Sequence, residues 1–159
     1  MYNSTLCCLE RDGQYLMLHR IKKKKDINKG KWIGVGGKFE EGESPEDCVI
    51  REVWEETGLT LQNPVLRGII TFIADAEPTE YMFLYTAPHF TGTMVGEEDC
   101  PEGILRWVDK DKIEQLPIWD GDRIFLRLLR EEKPFFSLKL RYVDGALTEA
   151  VLDGEKIPV

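Results

Sequence analysis

A helix with well-marked ends is predicted over residues 44–57, directly after a glycine-rich turn. Ser44 is a capping residue, Pro45 suits the first helical position, and Gly58 is typical of the residue that ends a helix. Four apolar residues recur at the spacing of one helix face and predict the side that packs on a sheet: Val49, Ile50, Val53 and Trp54. The chain must therefore build a sheet against which this helix is buried.

The same helix carries a group of like charges. Glu52, Glu55 and Glu56 are related by steps of three and four residues, which brings their carboxylates to one face. Like charges at this spacing destabilise a helix by roughly 0.2–0.5 kcal/mol per pair, and a bound cation removes that penalty. Carboxylate oxygens are hard ligands that favour Mg²⁺ or Mn²⁺ over zinc and leave room for substrate phosphates in the metal's shell.

Arg51 and the glycines before the helix complete this segment. Glu55 lies four residues after Arg51, and Glu43 lies just before the helix, so the guanidinium can hold one of these carboxylates bidentately. Three glycines lack Cβ atoms and allow backbone N–H and C=O groups to approach a phosphate or a metal: Gly34, Gly36 and Gly37.

Charge is unevenly distributed along the chain. The net charge of −8, from 21 basic and 29 acidic residues, argues against a general nucleic-acid coat. Residues 20–31 nevertheless contain seven basic residues and a single acidic one, Asp26, whereas residues 37–58 contain eight acidic residues and two basic ones. A basic loop beside an acidic segment suits a small polyphosphate held between cations and a carboxylate-bound metal; the alternative is a solvated loop followed by a solvated helix.

The other elements predict one mixed α/β domain over residues 1–159, with a sheet covered by two helices and a C-terminal β-hairpin. Strands are predicted at residues 4–9, 14–21, 65–74, 81–87, 104–108, 135–143 and 147–152. A short helix is expected over 109–115 and a second main helix over 122–130, its inner side formed by Ile124, Phe125, Leu128 and Leu129. The tail from Asp153 is expected to be loose.

The cysteines and the apolar runs of the sequence indicate the cellular compartment of the protein. The four cysteines show no zinc-type spacing and are expected to be buried, reduced thiols: Cys7, Cys8, Cys48 and Cys100. Cys7 and Cys8 are adjacent in a strand and so face opposite sides of it. No run approaches the length of a membrane span and no signal peptide is evident, so the expectation is a soluble cytoplasmic protein with no membrane partner.

The glycines, the glutamates and Arg51 around the predicted helix resemble the motif of a known protein family. Gly37, then Glu43, then the run from Arg51 to Leu59 resemble a complete Nudix box, residues 37–59. The Nudix family hydrolyses nucleoside diphosphates linked to another moiety, with Mg²⁺ or Mn²⁺ as cofactor, on an α/β/α sandwich with a mixed central sheet. The resemblance implies that the Gly36 carbonyl is a metal ligand together with three carboxylates, and that Arg51 and Glu43 form a structural ion pair; the three carboxylates are Glu52, Glu55 and Glu56.

The chain outside the box is similar to the MutT-type branch, especially to its oxidised-purine nucleoside triphosphatases. The similarity lies in residues 30–38, residues 117–122 and the Phe/Lys-rich C-terminal hairpin. It implies that Trp119 stacks on a purine, a contact worth about 1–3 kcal/mol, and that Asp122 accepts or shares a proton with the Watson–Crick edge. Two positions depart from this branch: Gly121 replaces one of two neighbouring aspartates, and Ile33 replaces a base-reading asparagine. Both departures weaken strict 8-oxoguanine recognition.

The implied reaction is in-line attack by a metal-activated water on a nucleoside triphosphate, by resemblance at the β-phosphorus, which gives a nucleoside monophosphate and pyrophosphate. Glu56 or Glu55 is expected to be the base. A further carboxylate from the loop at 96–102 is expected to close the metal site, with Glu102 favoured over Glu97 and Glu98. The substrate-binding residues expected around it are Arg20, Lys23, Gly37 and Lys38 for the phosphates, and Thr5, Leu6, Phe72 and Tyr81 as pocket walls.

Other functions remain open at this point. The substrate could be a dinucleoside polyphosphate, a nucleotide sugar or the 5′-triphosphate end of RNA, and the lysine run at residues 22–25 gives the last some weight. A non-catalytic nucleotide sensor is a different class, but it would not need the intact glutamates and Arg51. No stable nucleic-acid partner is expected, and the oligomeric state is left open.

Overall fold

Strand β1 (Tyr2–Arg11) is buried on both faces, because its apolar residues alternate between two hydrophobic cores. Cys8 packs in one core and Cys7 in the other, which confirms that the two thiols face opposite sides. All four cysteines are buried free thiols, as predicted. The two hydrophobic cores therefore lie on opposite faces of the sheet that contains β1.

The computed structural model describes residues Met1–Val159. The strands are β1, β2 (Gln14–His19), β3 (Trp32–Ile33), β4 (Thr60–Leu61), β5 (Val65–Ala74), β6 (Glu80–Ala87), β7 (Phe90–Thr91), β8 (Ile104–Asp109), β9 (Phe136–Val143), β10 (Ala146–Leu152) and β11 (Glu155–Ile157). The helices are α1 (Pro45–Thr57), α2 (Asp120–Arg130) and a 3₁₀ turn at Lys110–Gln115. No helix is long and apolar enough to cross a membrane.

Nine strands form one mixed sheet in the order β11-β10-β9-β5-β6-β1-β2-β3, with β8 also paired to β2. β1 runs parallel to β6, and β5 runs parallel to β9; the other pairs are antiparallel. The core residues of α2 lie in the cluster on one face, and those of α1 lie in the cluster on the other. The α/β/α sandwich predicted from the sequence is confirmed.

Helix α1 has the ends that the sequence predicts. Ser44 accepts a hydrogen bond from the Asp47 N–H while Asp47 accepts one from the Ser44 N–H, and Gly58 ends the helix with φ 79°. The prediction for Trp54 is wrong, because its side chain is 58% exposed. The buried face is instead completed by other residues of the helix: Cys48, Val49, Val53, Glu56 and Thr57.

The C-terminal part of the chain differs from the prediction in two places. Helix α2 begins at Asp120, two residues before the predicted start, and Leu126 is buried on its inner side while Ile124 is only half-buried. The tail is not loose: β11 pairs with β10, and Asp153 exchanges hydrogen bonds with Ser137. Asp153 and Gly154 both have positive φ, 49° and 87°, which builds a third tight hairpin that apolar periodicity alone does not reveal.

Candidate active site

A cleft of about 860 Å³ opens between the basic loop at residues 20–31, the glycine-rich turn and the first residues of α2. That volume falls within the range typical of small-molecule sites. Most of the residues predicted to form the site line it: Arg20, Lys23, Gly36, Gly37, Lys38, Glu52, Glu56, Phe72, Glu102, Trp119 and Asp122, together with Thr5 and Leu6. The structure thus brings together groups that are spread along the chain from Tyr2 to Asp122.

The glycine-rich turn lies directly against β1. The Thr5 N–H donates to the Gly37 carbonyl at 2.9 Å, and the Cys7 N–H donates to the Val35 carbonyl at 2.7 Å. A Cβ at Gly36 would lie 1.9 Å from the Thr5 carbonyl oxygen, and one at Gly37 would lie 2.5 Å from the Glu52 carboxylate. At position 36 only glycine permits this approach, because the atoms that a Cβ would meet belong to the backbone. The turn therefore places backbone groups beside the glutamates of α1.

Arg51 organises the carboxylates around the start of α1. It binds Glu43 bidentately, with Nε–Oε2 at 2.7 Å and Nη2–Oε1 at 2.8 Å. Its Nη1 also donates to Glu52 at 2.7 Å and to Glu55 at 3.2 Å. Hydrogen bonds from Arg51, assisted by the Glu40 N–H, lower the pKa of Glu43 to about 2. The predicted pair of Glu43 and Arg51 is therefore present in the structure.

Glu56 is the buried carboxyl of the cleft, with 6% of its surface exposed. It accepts a hydrogen bond from the Gly36 N–H at 3.2 Å. Burial, reinforced by the nearby carboxylates of Glu52 and Glu102, raises the pKa of Glu56 to about 8, against the opposing effect of Arg20. A buried acid perturbed in this way inside a cleft is typical of a catalytic group.

Among the acidic residues of the loop after β7, Glu102 is the one that lines the cleft. Its Oε2 lies 3.1 Å from Arg20 Nη2 and 2.9 Å from Lys23 Nζ. The same buried oxygen receives no hydrogen bond of normal geometry, so the two cations approach it without satisfying it. Glu97 instead lies 3.7 Å from Arg106.

The donor set of the cleft fits a divalent cation. No three carboxylates converge as a ready cluster of ligands, because Glu52 is held by Arg51 while Arg20 and Lys23 hold Glu102. The unsatisfied Glu102 oxygen and the buried Glu56 carboxyl are nevertheless hard oxygen donors that a positive charge would stabilise. The chemistry of these donors matches Mg²⁺ or Mn²⁺ and not a thiolate- or imidazole-bound metal.

Besides the ion pair of Arg51 and Glu43, two predicted site residues are not in the wall of the cleft. Glu55 is 49% exposed at its side chain and contacts Arg51 at the edge of α1. Tyr81 faces the other side of the sheet, because Glu80 and Met82, its neighbours on β6, point into the cleft and side chains alternate along a strand. Placing Tyr81 as a pocket wall was wrong by one residue.

The other end of the cleft is aromatic and contains one buried acid. Trp119 is 7% exposed and packs edge-on against Phe72, with ring centroids 5.2 Å apart, and against Tyr142 at 4.8 Å. Asp122, in the first turn of α2, is also 7% exposed. Burial raises the pKa of Asp122 to about 8, with Lys31 and Arg123 opposing the shift. Trp119 is therefore both a core residue and a wall of the cleft.

The two departures from the MutT-type pattern have clear structural settings. The Gly121 N–H donates to the Tyr142 hydroxyl at 2.7 Å, and a Cβ at Gly121 would lie 2.5 Å from Leu140 Cδ1 and 2.6 Å from that hydroxyl. An aspartate at position 121 would therefore have to displace the buried side chains of Leu140 and Tyr142 on β9. Ile33 lines the cleft and contributes an apolar surface there.

Several residues of the cleft were not predicted from the sequence. Glu80 and Met82 come from β6, and the Ser4 hydroxyl donates to Glu80 at 2.6 Å. Their placement depends on the parallel register of β1 and β6, which pairs Ser4 with Met82 and leaves no trace in local sequence. Asp26 and Asn28 come from the basic loop. The one available signal was that Asp26 is the single acid among seven cations.

The two buried acids predict a pH-dependent stability for the metal-free protein. The pKa values of Glu56 and Asp122 rise from ordinary values of 4.5 and 3.8 to about 8. Between roughly pH 4.5 and 8 the folded state therefore binds more protons than the unfolded state, and stability falls as pH rises. The loss approaches about 1.4 kcal/mol per pH unit for each group at full effect. Urea unfolding in EDTA from pH 5 to pH 8.5 measures it; a flat or rising profile would contradict the assigned shifts.

Known proteins match this chain over most of its length. A family model described as the NUDIX domain matches residues 2–129. The uncharacterized Nudix hydrolase YvcI of Bacillus subtilis is 41% identical over 122 residues, 74% of this chain and 72% of that protein. The oxidized purine nucleoside triphosphate hydrolase of Mus musculus is 34% identical over 115 residues, 71% of each chain. A solved structure, the mutator MutT protein of Bacillus halodurans, has a TM-score of 0.85 and 32% identity, over 98% of this chain and 99% of that one.

Together with the carboxylates in the cleft, these matches define the class of protein as a hydrolase acting on phosphorus-containing anhydrides. The chain belongs to the Nudix family, and residues 37–59 lie within the matched range. The resemblance to the Nudix family and to its MutT-type members, inferred from the sequence, is confirmed.

Proposed function

We propose that this chain is a Mg²⁺-dependent nucleoside triphosphate diphosphatase that hydrolyses oxidised purine nucleotides such as 8-oxo-dGTP to the monophosphate and pyrophosphate. One observation carries the proposal: a single cleft has Glu52, Glu56 and Glu102 at one end and Trp119 and Asp122 at the other. Such a cleft accommodates a triphosphate and a base at the same time. The Mus musculus relative, named as an oxidized purine nucleoside triphosphate hydrolase, supports the same substrate class.

Nudix hydrolases use divalent metal ions, and here Glu52, Glu56, Glu102 and the Gly36 carbonyl would hold Mg²⁺ or Mn²⁺. When bound, the metal would supply an activated water and would neutralise charge on the phosphates. Glu56 is the better candidate for the base, because it lines the cleft and Glu55 does not. A cation beside Glu56 would favour its ionised form, which could then accept the proton of the attacking water.

The phosphate end needs cations that are available to the substrate. Arg20 and Lys23 line the cleft but are paired with Glu102, and Arg20 also with Asp26. Lys25 and Lys38 also line it, and neither forms an ion pair with a carboxylate. Lys38 lies 4.5 Å above the Tyr2 ring, at the side of the cleft next to the glycine-rich turn. We therefore assign Lys38 as a phosphate contact and Arg20 and Lys23 as groups that hold Glu102 until phosphates arrive.

The test of the proposed function is a panel of nucleotides with the products identified as pyrophosphate or orthophosphate. 8-oxo-dGTP, dGTP, GTP, ATP, ADP-ribose, diadenosine polyphosphates and a 5′-triphosphate RNA are compared with Mg²⁺ and with EDTA. We expect metal-dependent pyrophosphate release from 8-oxo-dGTP at a kcat/KM well above that for dGTP. Equal rates on ordinary triphosphates, or preference for a linked dinucleotide or RNA end, would discard the oxidised-purine assignment. A complete lack of turnover would favour a nucleotide sensor.

The base end of the cleft leads to a prediction for the activity of Asp122 variants. Asp122→Ala removes a buried group that pairs with the base, and we expect kcat/KM to fall about 10- to 100-fold, the equivalent of one lost hydrogen bond with an unpaired partner. Asp122→Asn keeps one donor and one acceptor at the same place and should retain most of the activity at pH 7. Steady-state kinetics on the best substrate of the panel decide this. Equal losses in both variants would show that Asp122 acts through its negative charge.

A further inference from the structure

The basic loop contains one carboxylate that holds two neighbouring groups. The Asp26 side chain is 5% exposed. Its Oδ2 accepts a hydrogen bond from Arg20 Nε at 2.9 Å, and its Oδ1 accepts one from the Asn28 N–H at 3.0 Å. A buried carboxylate that receives a charge-assisted bond on one oxygen and a backbone bond on the other fixes the direction of both donors.

Each of those two neighbours reaches a different end of the cleft. The Asn28 Oδ1 accepts a hydrogen bond from Trp119 Nε1 at 2.8 Å, 91 residues away in sequence. The Arg20 Nη2 lies 3.1 Å from Glu102 Oε2. A continuous series of polar contacts therefore runs from the aromatic wall of the base end, through Asp26, to a carboxylate of the phosphate end.

We propose that Asp26 is a positioning residue of the active site, which holds Asn28 against Trp119 at the base end and Arg20 against Glu102 at the phosphate end. The proposal rests on the proposed function, because it assumes that the two ends bind the two parts of one nucleotide. It adds a residue whose role is to hold two other side chains of the cleft in place. Asp26 acts by keeping the two ends at the distance that one substrate requires.

Hydrogen bonds that do not involve the Asp26 carboxylate hold the backbone of the loop. A positioning role of Asp26 can therefore be tested without unfolding the loop. Lys22 Nζ donates to the Cys100 carbonyl at 2.8 Å and also to the Glu98 carbonyl. Lys29 Nζ donates to the Lys23 carbonyl at 2.8 Å and to the Ile21 carbonyl at 3.1 Å. Loss of the Asp26 charge should therefore leave the loop folded while releasing the Arg20 side chain and loosening the hold on the Asn28 backbone N–H.

The kinetic test compares Asp26→Asn with Asp12→Asn. Asp12 is exposed, in the turn between β1 and β2, and asparagine tolerates its positive φ of 51°. We expect Asp26→Asn to lower kcat/KM about 10- to 100-fold, the scale of a small misplacement of reacting groups, with KM raised and kcat lowered together. Asp12→Asn should match the wild type. If the Asp26→Asn enzyme has the kcat and KM of the wild type, the proposal is overturned.

The second readout is the indole N–H resonance of Trp119 in a ¹⁵N correlation spectrum, assigned with Trp119→Phe and recorded without metal or nucleotide. Trp119 does not touch Asp26, so a shift of this resonance in Asp26→Asn, and not in Asp12→Asn, reports the connection through Asn28. An unchanged resonance overturns the proposal. Because no substrate is present, this result stands even if the nucleotide panel refutes the proposed function.

A third variant covers the case in which Asp26→Asn does not fold. Asn28→Ala removes the bond to Trp119 and leaves the bonds between Asp26, Arg20 and the backbone in place. We expect it to shift the Trp119 resonance and to raise KM more than it lowers kcat, because only the base end loses its support. A fall in kcat alone, or no change in either constant, overturns the proposal.

Discussion

Replacing Glu56 with glutamine is expected to lower kcat about 1000-fold with saturating Mg²⁺, within the range for loss of a general base. The side chain is 6% exposed in the cleft and accepts the Gly36 N–H, and glutamine preserves its shape while removing its basicity. The fold should be retained. Above about pH 5 the metal-free variant should be more stable than the wild type, because the Glu56 carboxyl of the wild type ionises more readily in the unfolded chain than in the folded protein.

Glu55→Gln is the matched control. Glu55 sits one position earlier on the same helix, is half exposed, and contacts Arg51 outside the cleft. Its replacement is expected to change kcat by less than about tenfold, the scale of losing one exposed ion pair. Rates are measured across a Mg²⁺ titration, so that weaker metal binding is separated from slower chemistry. Wild-type turnover in Glu56→Gln, or a larger loss of kcat in Glu55→Gln, would show that Glu56 is not the general base.

The second large effect is expected for Gly36→Ala. Its Cβ would lie 1.9 Å from the Thr5 carbonyl oxygen and 2.7 Å from the Thr5 carbonyl carbon, and backbone atoms cannot move aside as a side chain can. The turn must separate from β1, which breaks the hydrogen bonds that join residues 35–37 to Thr5 and Cys7. We expect a loss of about 2–4 kcal/mol in unfolding free energy, together with activity.

Gly37→Ala is the comparison for that substitution. Its Cβ would meet the end of the Glu52 side chain at 2.5 Å, and a flexible side chain can turn away. Stability should stay within about 1 kcal/mol of the wild type while kcat falls, because Glu52 is displaced from the cleft. Urea unfolding and kcat are measured on both variants. A Gly36→Ala protein as stable as Gly37→Ala would mean that the turn does not lie against β1 as described.

Local signals predicted those parts of the molecule that local interactions determine. The ends of α1 follow from Ser44 and Gly58, and the ion pair of Arg51 and Glu43 follows from their spacing around the helix start. Tyr81 could not be placed, since the side of β6 that faces the cleft depends on pairing with β1 across more than 70 residues. Glu80 was missed for the same reason. Trp54 was misplaced because its apolar character satisfies the helical spacing, although the buried face of α1, with Val49, Val53 and Glu56, is centred on another side of the helix.

The last three strands have a consequence for how this enzyme can diversify. They lie beyond residues 2–129, yet Leu138, Leu140 and Tyr142 of β9 are part of the core under α2. The Tyr142 hydroxyl receives the Gly121 N–H, one residue before Asp122 and two after Trp119. The carboxylates of the cleft and the packing behind its aromatic end thus come from separate stretches of the chain. Substitutions in β9 can therefore shift Gly121 and its neighbours Trp119 and Asp122 without altering any residue of α1, so the wall of the cleft can be changed from a strand that does not itself line it.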